Sequence, residues 1–380
     1  MGLQGAMNSA VSGLSANGNA MSVIGNNISN SNTTAYKANR ALFSDVLAQE
    51  VSSAGGNSQI GRGVNTATVD PDFSQGTFKG SSSNTDLAVD GPGFFIMSEE
   101  DSDATYYTRD GAFSMNKDGF LENPTGQRVQ GQNLESGTVE AVQIDPNSTK
   151  AAEMTTQVDI TANLNSEISE SASSWDVSNP SESSDFETST KVYDSLGNSH
   201  TLNVYFVKTS DANNDWDVHV QKQENIGTDI GSFSMSFNES GTLDTSPPEF
   251  TAGPIDWSNG SDTSQNVAMN LAGTTQFSSQ SEVIKQDVQG NGPGKLENVN
   301  VKDDGTVQAV YSNGETEDEY QLRLAQFANE GALQREGNNL YSAPDAAGKT
   351  EGWPGSGSSV GTIRSNSLEQ SNVDIAKQFT

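Results

Sequence analysis

The sequence predicts a mainly β, multidomain chain with α-helical termini, folded back so that its two ends meet. Three observations carry that expectation. The first 28 residues hold a helical heptad without a single charge. Residues 85–131 and 296–345 are dense in Asp-Gly and Asn-Gly turns between apolar runs. Residues 367–380 show a second helical pattern, too short to stand alone in water.

In the opening segment Met7, Leu14, Met21 and Ile28 recur every seven residues, and Leu3, Ala10, Asn17 and Ile24 fill the companion positions. An a/d seam of this kind is the period of helices that wind around a partner, here a terminal coiled-coil domain. A solvated helix carries charge on its outer face, and this one carries none. Gly13, Gly18 and Gly25 each weaken an isolated helix by about 1 kcal/mol relative to Ala. The helix is therefore expected to form on assembly, surrounded by other protein.

The run Ser29–Thr34 reads as a helix stop. Residues 35–51 are expected to form a second short helix with Phe43, Val46 and Leu47 on one side, and residues 52–63 a flexible Gly/Ser-rich connection. Leu87-Ala88-Val89, the turn Asp90-Gly91-Pro92-Gly93 and Phe94-Phe95-Ile96-Met97 open an antiparallel meander that continues through Asp110-Gly111 and Asp118-Gly119. A polar, Ser-rich stretch over 150–187 leads into a further domain starting near Asp159-Ile160. There Leu202, Val204 and Phe206, then Trp216, Val218 and Val220, alternate with polar residues, as do Phe233, Met235 and Phe237 and later Val267, Met269 and Leu271. Period two means one face buried and one wet, as in a sandwich or open barrel. Residues 296–345 return to the style of the first meander, and 346–362 read as loop. The last segment places Leu368, Ile375 and Phe379 on one helical side, and the obvious partner is the opening helix. The expected divisions are 1–34, a helix and linker over 35–63, a split β domain from 64–150 and 291–362, an inserted β-barrel or sandwich domain over 151–290, and 363–380.

Composition agrees with several small β domains: 380 residues are only 32% hydrophobic, with 37 Gly. The net charge of −31 disfavours nucleic acid and anionic membrane as partners. It is unevenly placed, since residues 1–50 hold two acids and two bases while residues 101–200 hold 17 acids and five bases. A neutral end and an acidic middle fit a molecule that associates through its end. There is no cysteine. The N-terminus lacks the basic start and apolar run of a cleavable signal peptide, and no stretch is long and apolar enough to span a membrane.

Catalytic chemistry is not advertised, and no enzyme activity, cofactor or metal is expected. His200 opens a strand beside a Gly-Asn turn, and His219 alternates onto the wet face; neither has a companion for a metal site. Asp211, Asn213, Asp215 and Asp217 have the oxygen spacing that opens a calcium loop, but Trp216 replaces the required Gly and Lys222 the bidentate Glu. A solvated hairpin turn is expected there. Gly294-Lys295 lacks the spacing and the hydroxyl residue of a phosphate loop. A different class, a secreted adhesin or carbohydrate-binding protein, would use exposed aromatics such as Trp216 or Trp257.

Several motifs together resemble the flagellar rod and hook axial proteins of bacteria. Ser9-Ala10-Val11-Ser12-Gly13-Leu14 and Ile24-Gly25-Asn26-Asn27-Ile28-Ser29-Asn30 are similar to that family's N-terminal signature. Thr34-Ala35-Tyr36-Lys37 continues it, with Ala35 where the family usually has Gly. Asp86, Asp90, Gly91, Gly93, Phe94 and Phe95 stand in the shared β motif, and Asn372 and Asp374 in the C-terminal one, Leu368-Glu369-Gln370-Ser371-Asn372-Val373-Asp374. Val192-Tyr193-Asp194-Ser195-Leu196-Gly197-Asn198 is similar to the outer domain of hook members, whereas the distal rod members carry a smaller insertion. The family's C-terminal helix continues well past the equivalent of Thr380. The resemblance implies a tubular homopolymer acting as a universal joint, with terminal helices inside, the split β domain in the middle and the insertion outside. It also implies extracellular location, export by the flagellar type III apparatus, and contact with the distal rod protein, hook cap and hook–filament junction proteins.

Overall fold

A computed structural model describes residues 3–46, 49–53, 56–100, 102, 104–169, 174–355, 357 and 359–379, with side chains omitted for 3–5 and 47–60. The chain divides into two compact units, one of Met1–Ser148, Glu297–Val310 and Thr316–Thr380, the other of Thr149–Leu296 and Tyr311–Glu315. β-Structure dominates both, with few helices.

In the first unit the opening segment is one helix, Leu3–Ser29. It lies against a hairpin in which Asn39–Asp45 runs antiparallel to Val64–Pro71. Residues 35–51 were expected as helix from their apolar spacing, and the strand replaces it for a local reason. The Asn27 side chain donates to the Asn39 carbonyl (2.8 Å) and accepts from the Asn39 amide (2.9 Å), which holds the chain extended as it leaves the helix. Phe43 and Val46 are exposed rather than packed on a helical side; Leu47 lies outside the described residues. Residues 52–63, expected as flexible linker, supply one side of a second hairpin, Gln49–Ser53 with Gly56–Ile60.

The meander forms only in part as its turns predict: Ser114–Met115 pairs with Leu121–Glu122 across Asp118-Gly119, but Leu87–Asp90 does not pair with Phe94–Ser98 across Asp90-Gly91-Pro92-Gly93 and belongs to a different sheet. Phe94–Ser98 pairs with Thr105–Thr108, Arg128–Asn133 and Leu324–Phe327, while Leu87–Asp90 pairs with Thr362–Ser365. Gly91 and Gly93 turn the chain between the first two strands at φ +100° and +136°. A Cβ on Gly93 would stand 2.6 Å from the Val360 carbonyl oxygen. Gly93→Ala is therefore expected to cost about 1–3 kcal/mol, read as a lower thermal midpoint in calorimetry. Asp110-Gly111 departs from the hairpin expectation. The Gly111 carbonyl accepts from the Leu87 amide (2.9 Å), and a Cβ there would collide with the Leu87 carbonyl, so this glycine serves close strand approach. Phe94, Tyr107, Phe327 and Tyr341 fill the core between these strands, with ring pairs edge-on at about 5–6 Å.

The C-terminal segment is mostly not helix. Ser367–Glu369 pairs with Phe78–Gly80, and helix is confined to Ile375–Gln378, capped by the Asp374 carboxylate, which accepts from the Ala376 and Lys377 amides. Leu368 therefore sits half-buried on a strand and shares no helical face with Ile375 and Phe379.

In the second unit Phe186–Tyr193, Ser199–Ser210, Asp215–Lys222 and Asn225–Ser236 form a four-stranded antiparallel sheet in chain order. A five-stranded sheet is built around Glu153–Asn165, a strand that begins before the alternation at Asp159 shows it. Inward residues of both sheets, among them Val158, Ile160, Leu202, Val204, Phe206, Val218 and Met269, make one core. Among the described residues no ladder joins the two sheets into a closed barrel. Trp216 and Trp257 belong to this core, so neither is the exposed aromatic an adhesin would offer. His219 is likewise not on a wet face: Trp175 stacks on it at 4.2 Å and Asp229 accepts at 2.9 Å from its Nδ1. The Asp211–Asp215 segment is the turn of a hairpin, with Asn214 at φ +53°.

Asp194 organises the signature turn of this unit. One carboxylate oxygen accepts from the Leu196 and Asn198 amides (2.9 Å each), the other from Asn259 (2.6 Å). Burial would raise its pKa, but bonds from Asn259, His200 and Asn198 outweigh burial and hold it well below the usual carboxylate range. A depressed carboxyl supplies stability that is present above its unfolded value, near 3.8, and lost as pH falls below it. Asp194→Asn should be less stable at neutral pH and should lose less between about pH 5 and pH 3. Thermal melts of the full chain across that range test this.

Candidate assembly site

The N-terminal helix presents two stripes with different fates. Ser9, Ser12, Ala16, Ala20, Val23 and Asn27 follow i, i+3, i+4 spacing and are buried or half-buried in the chain's own fold. The Ser12 hydroxyl accepts from the Val64 amide (3.3 Å), and Asn19 reaches Thr66 (3.3 Å). Gly63, at φ +116°, lets the hairpin approach this stripe, since a Cβ there would collide with the Ser12 hydroxyl.

The second stripe is the heptad seam, and it faces outward. Met7, Leu14 and Met21 are 60%, 76% and 68% exposed, and Val11 beside them 63%. Ala10 is exposed as well, whereas Ile24 and Ile28 are half-buried where the helix meets the rest of the unit. Leu3 lies on the same helix, but its side chain is outside the described residues. Large apolar side chains on an uncharged helix, left open to water in a row, are the mark of an interaction surface.

At the far end of the helix the chain leaving it is stitched to the C-terminal segment. Asn27, fully buried, also donates to the Gln378 side-chain carbonyl (3.1 Å), and the Tyr36 hydroxyl donates to Asn26 (2.7 Å). The Asn372 side chain accepts from the Ala38 amide (2.7 Å) and donates to the Asp72 (2.8 Å) and Ser74 (3.0 Å) carbonyls. Ala35, buried at φ +55°, donates its amide to the Glu369 carbonyl (2.8 Å). Asn372→Ala would orphan the Ala38 amide and the Asp72 carbonyl and is expected to cost about 2–4 kcal/mol, seen as a midpoint fall that Asn372→Asp, which keeps the acceptor, only partly reproduces.

Beneath these bonds lies a buried ion pair. Lys37 Nζ stands 2.7 Å from Glu369 Oε1, both side chains being fully buried, and donates also to the Ser74 carbonyl (2.8 Å). Glu369 Oε1 accepts in addition from the Gly76 amide (2.7 Å). Arg109 comes within 3.7 Å of the other Glu369 oxygen and lies over the Phe94 ring. Burial lowers the pKa of Lys37 and of Arg109, against the pull of Glu369 in each case, and burial raises that of Glu330 beside them. Such a network specifies one arrangement of the ends, because its charges are compensated only there.

Of the residues singled out in the sequence, Asn26, Asn27, Asn372 and Asp374 are brought together at this junction. Ile375 and Phe379 project from it, 48% and 75% exposed. Asp86, Asp90, Gly91, Gly93, Phe94 and Phe95 are not part of it. Asp86 accepts from Ser81, Asp90 pairs with Arg364 (3.3 Å), the glycines make the turn, and the phenylalanines are fully buried. Lys37, Glu369 and Arg109 were not identified as a cluster. The signal was present, since Lys37 and Glu369 are the charged members of otherwise mostly neutral signatures.

Comparison with known proteins bears directly on these ends. The family model described as flagella basal body rod protein matches residues 7–37, the helix and the Tyr36-Lys37 corner. That of the flagellar hook protein FlgE/F/G D1 domain matches 88–163, and that of the flagellar basal body protein FlaE D2 domain matches 163–291. The flagellar hook protein FlgE of Escherichia coli K12 is 33% identical over 387 residues, covering 98% of this chain and 92% of its own. That of Salmonella typhimurium is 32% identical over 383 residues, covering 97% and 91%. The chain belongs to the flagellar hook protein family. As a hook-family protein it is a structural component of the bacterial flagellum. The crystal structure of Helicobacter pylori flagellar hook protein FlgE2 shares the fold, with a TM-score of 0.52 at 15% identity over 77% of this chain and all of that one. Among the described residues, no helix of this hook-family chain is long and apolar enough to cross a membrane, and no three His, Cys, Asp or Glu side chains are placed to hold a metal.

Proposed function

We propose that this chain is the repeating, non-enzymatic subunit of a flagellar hook, polymerising into a curved tube that surrounds the export channel and passes torque from rod to filament. The observation that carries this reading is the outward-facing, uncharged seam of Met7, Leu14 and Met21 on a helix whose other stripe is already docked. Seams of neighbouring copies would pack in coiled-coil fashion as an inner layer, joined by Ile375 and Phe379, without burying an unpaired charge. Contacts of this head-to-tail kind that do not close generate a helical fibre. In this reading residues 1–34 and 363–380 serve the inner layer, 64–150 with 291–362 the middle, and 151–290 the outside. Distal rod, hook cap and junction proteins would meet the ends of the tube, and the type III apparatus would deliver its subunits.

The helical glycines support the same reading. A Cβ on Gly13, Gly18 or Gly25 would meet nothing within 4 Å, so the isolated subunit gains nothing from them. Gly18→Ala with Gly25→Ala should raise helix stability by about 1 kcal/mol each and yet weaken polymerisation, if a neighbour's backbone approaches there. Circular dichroism and sedimentation of the same samples separate the two effects. The acidic outer domain would make weak, wet contacts that slide as subunits pass the inside of a bend; a chain lacking residues 150–290 should then give tubes of altered curvature. Electron microscopy of the concentrated full chain tests the whole reading. Curved tubes are expected, and persistent monomers under all assembly conditions would count against it.

A further inference from the structure

Asn17, Asn259, Asn291 and Asn313 each precede a glycine. That pairing has a chemical consequence. A glycine nitrogen has no neighbouring Cβ to shield it and sits on a freely moving backbone, so it can attack the side-chain carbonyl carbon of the asparagine before it. Three of the four asparagines are held against this reaction. Asn259 donates to Asp194 Oδ2 (2.6 Å) and accepts from the Ser261 amide (3.0 Å). Asn291 donates to Glu315 Oε1 (2.9 Å) and accepts from the Asn313 side chain (3.0 Å). Asn313 donates also to the Gly292 carbonyl (2.9 Å) and accepts from the Glu315 amide (3.1 Å). Both ends of each amide are fixed, so turning it toward the following nitrogen breaks at least two bonds at once. Asn17 has no such restraint. It is exposed on the N-terminal helix, and its side chain makes no hydrogen bond among the described residues. A Cβ on Gly18 would meet nothing within 4 Å, so no other segment crowds the attacking nitrogen.

We propose that Asn17 is a spontaneous modification site of the unassembled subunit, converting from amide to carboxylate and so withdrawing the chain from assembly. An intact helical turn keeps the Gly18 nitrogen engaged with the carbonyl four residues back, so the reaction proceeds only when that turn opens. Gly13, Gly18 and Gly25 make opening easy, and the seam around Leu14 and Met21 does nothing to hold the turn while it is uncovered. In the open turn the Gly18 nitrogen bonds to Asn17 Cγ and gives up its proton. The bond from Cγ to the side-chain nitrogen breaks, ammonia leaves, and a five-membered succinimide remains. Water then opens the ring at either carbonyl, to aspartate or to its isomer with the main chain routed through the side chain. One water is consumed, one ammonia is released, and a negative charge is gained. It stands between Leu14 and Met21 on a helix with no Lys or Arg. The effect on assembly rests on the seam proposed above: the new carboxylate would be buried there without a partner, so converted chains stay out of the tube. In the tube the same turn is covered and Asn17 is preserved.

The chain supplies its own comparison in the three restrained asparagines. The test is peptide mapping by mass spectrometry of the full chain, kept as monomer under warm, mildly alkaline conditions and sampled over time. Residue 17 should convert at least about tenfold faster than 259, 291 or 313, because a glycine-weakened turn opens far more often than a doubly bonded side chain is released. Gly18→Ala, which shields the nitrogen and stiffens the helix, should slow conversion at residue 17 by about tenfold. Equal rates at the four sites, or an unchanged rate in Gly18→Ala, overturn the proposal. The second arm polymerises a half-converted sample. Converted chains should be enriched in the supernatant, and the asparagine remaining in the tubes should convert no further. Tubes that take up converted and unconverted chains alike overturn the exclusion step. A wild type that never forms tubes contradicts the seam instead, and the conversion rates then judge the site by themselves.

Discussion

Leu14→Asp is expected to leave both units folded and to abolish polymer formation. Leu14 is 76% exposed, and substitutions at such surface positions shift stability by no more than about 0.5 kcal/mol. In the assembled seam the same aspartate would be buried without a partner, on a helix with no Lys or Arg to answer it. An uncompensated buried charge costs about 3–5 kcal/mol, or roughly two to four powers of ten in the association constant of each contact. Two neighbours per subunit multiply the effect. Sedimentation should show monomer at concentrations where the wild type is fully polymerised, with unchanged thermal midpoints. Tubes at wild-type concentration would contradict the account of the seam.

Glu369→Leu should have the largest effect on the folded subunit itself. It removes the counter-charge of Lys37 and Arg109, both of which remain buried, and leaves the Gly76 amide without its acceptor. The expected loss is about 3–5 kcal/mol. For a unit of this size that lowers the midpoint by roughly 6–20 °C. The cost is one of stranded charge rather than lost attraction, so Lys37→Met added to Glu369→Leu should recover part of it. Calorimetry of the two single variants and the double variant reads the coupling directly; strictly additive losses would mean that the pair does not act as a unit.

Much of the fold is legible in the sequence, and the exceptions have a common cause. Turn chemistry such as Asp118-Gly119 and period-two alternation such as Leu202, Val204 and Phe206 are local, and both appear where expected, whereas Asp90-Gly91-Pro92-Gly93 turns the chain between two sheets instead of closing a hairpin. The strand at Asn39–Asp45 and the strand at Ser367–Glu369 were both expected as helix. Each is held extended by groups outside its own segment, Asn27 for the first and Lys37 with the backbone of Phe78–Gly80 for the second. Propensity and spacing carry no record of such captures. The heptad was legible, but which stripe would dock at home was not, because Ala16 and Asn27 look no more buried in sequence than Ala10 and Asn17. His219 was misplaced for a similar reason: Trp175, from the Ser-rich stretch, covers a face that alternation alone would leave wet.

The central claim is that Met7, Leu14 and Met21 are open in the subunit and covered by neighbouring copies in the polymer. The natural absence of cysteine makes a direct measurement possible, since Leu14→Cys carries one thiol per chain. Its rate of reaction with a bulky maleimide should be that of an exposed thiol in the monomer and fall at least a hundredfold in assembled tubes, roughly the protection expected of a surface buried on association. Equal rates in monomer and tube would show the seam open to solvent in the polymer and would contradict the account.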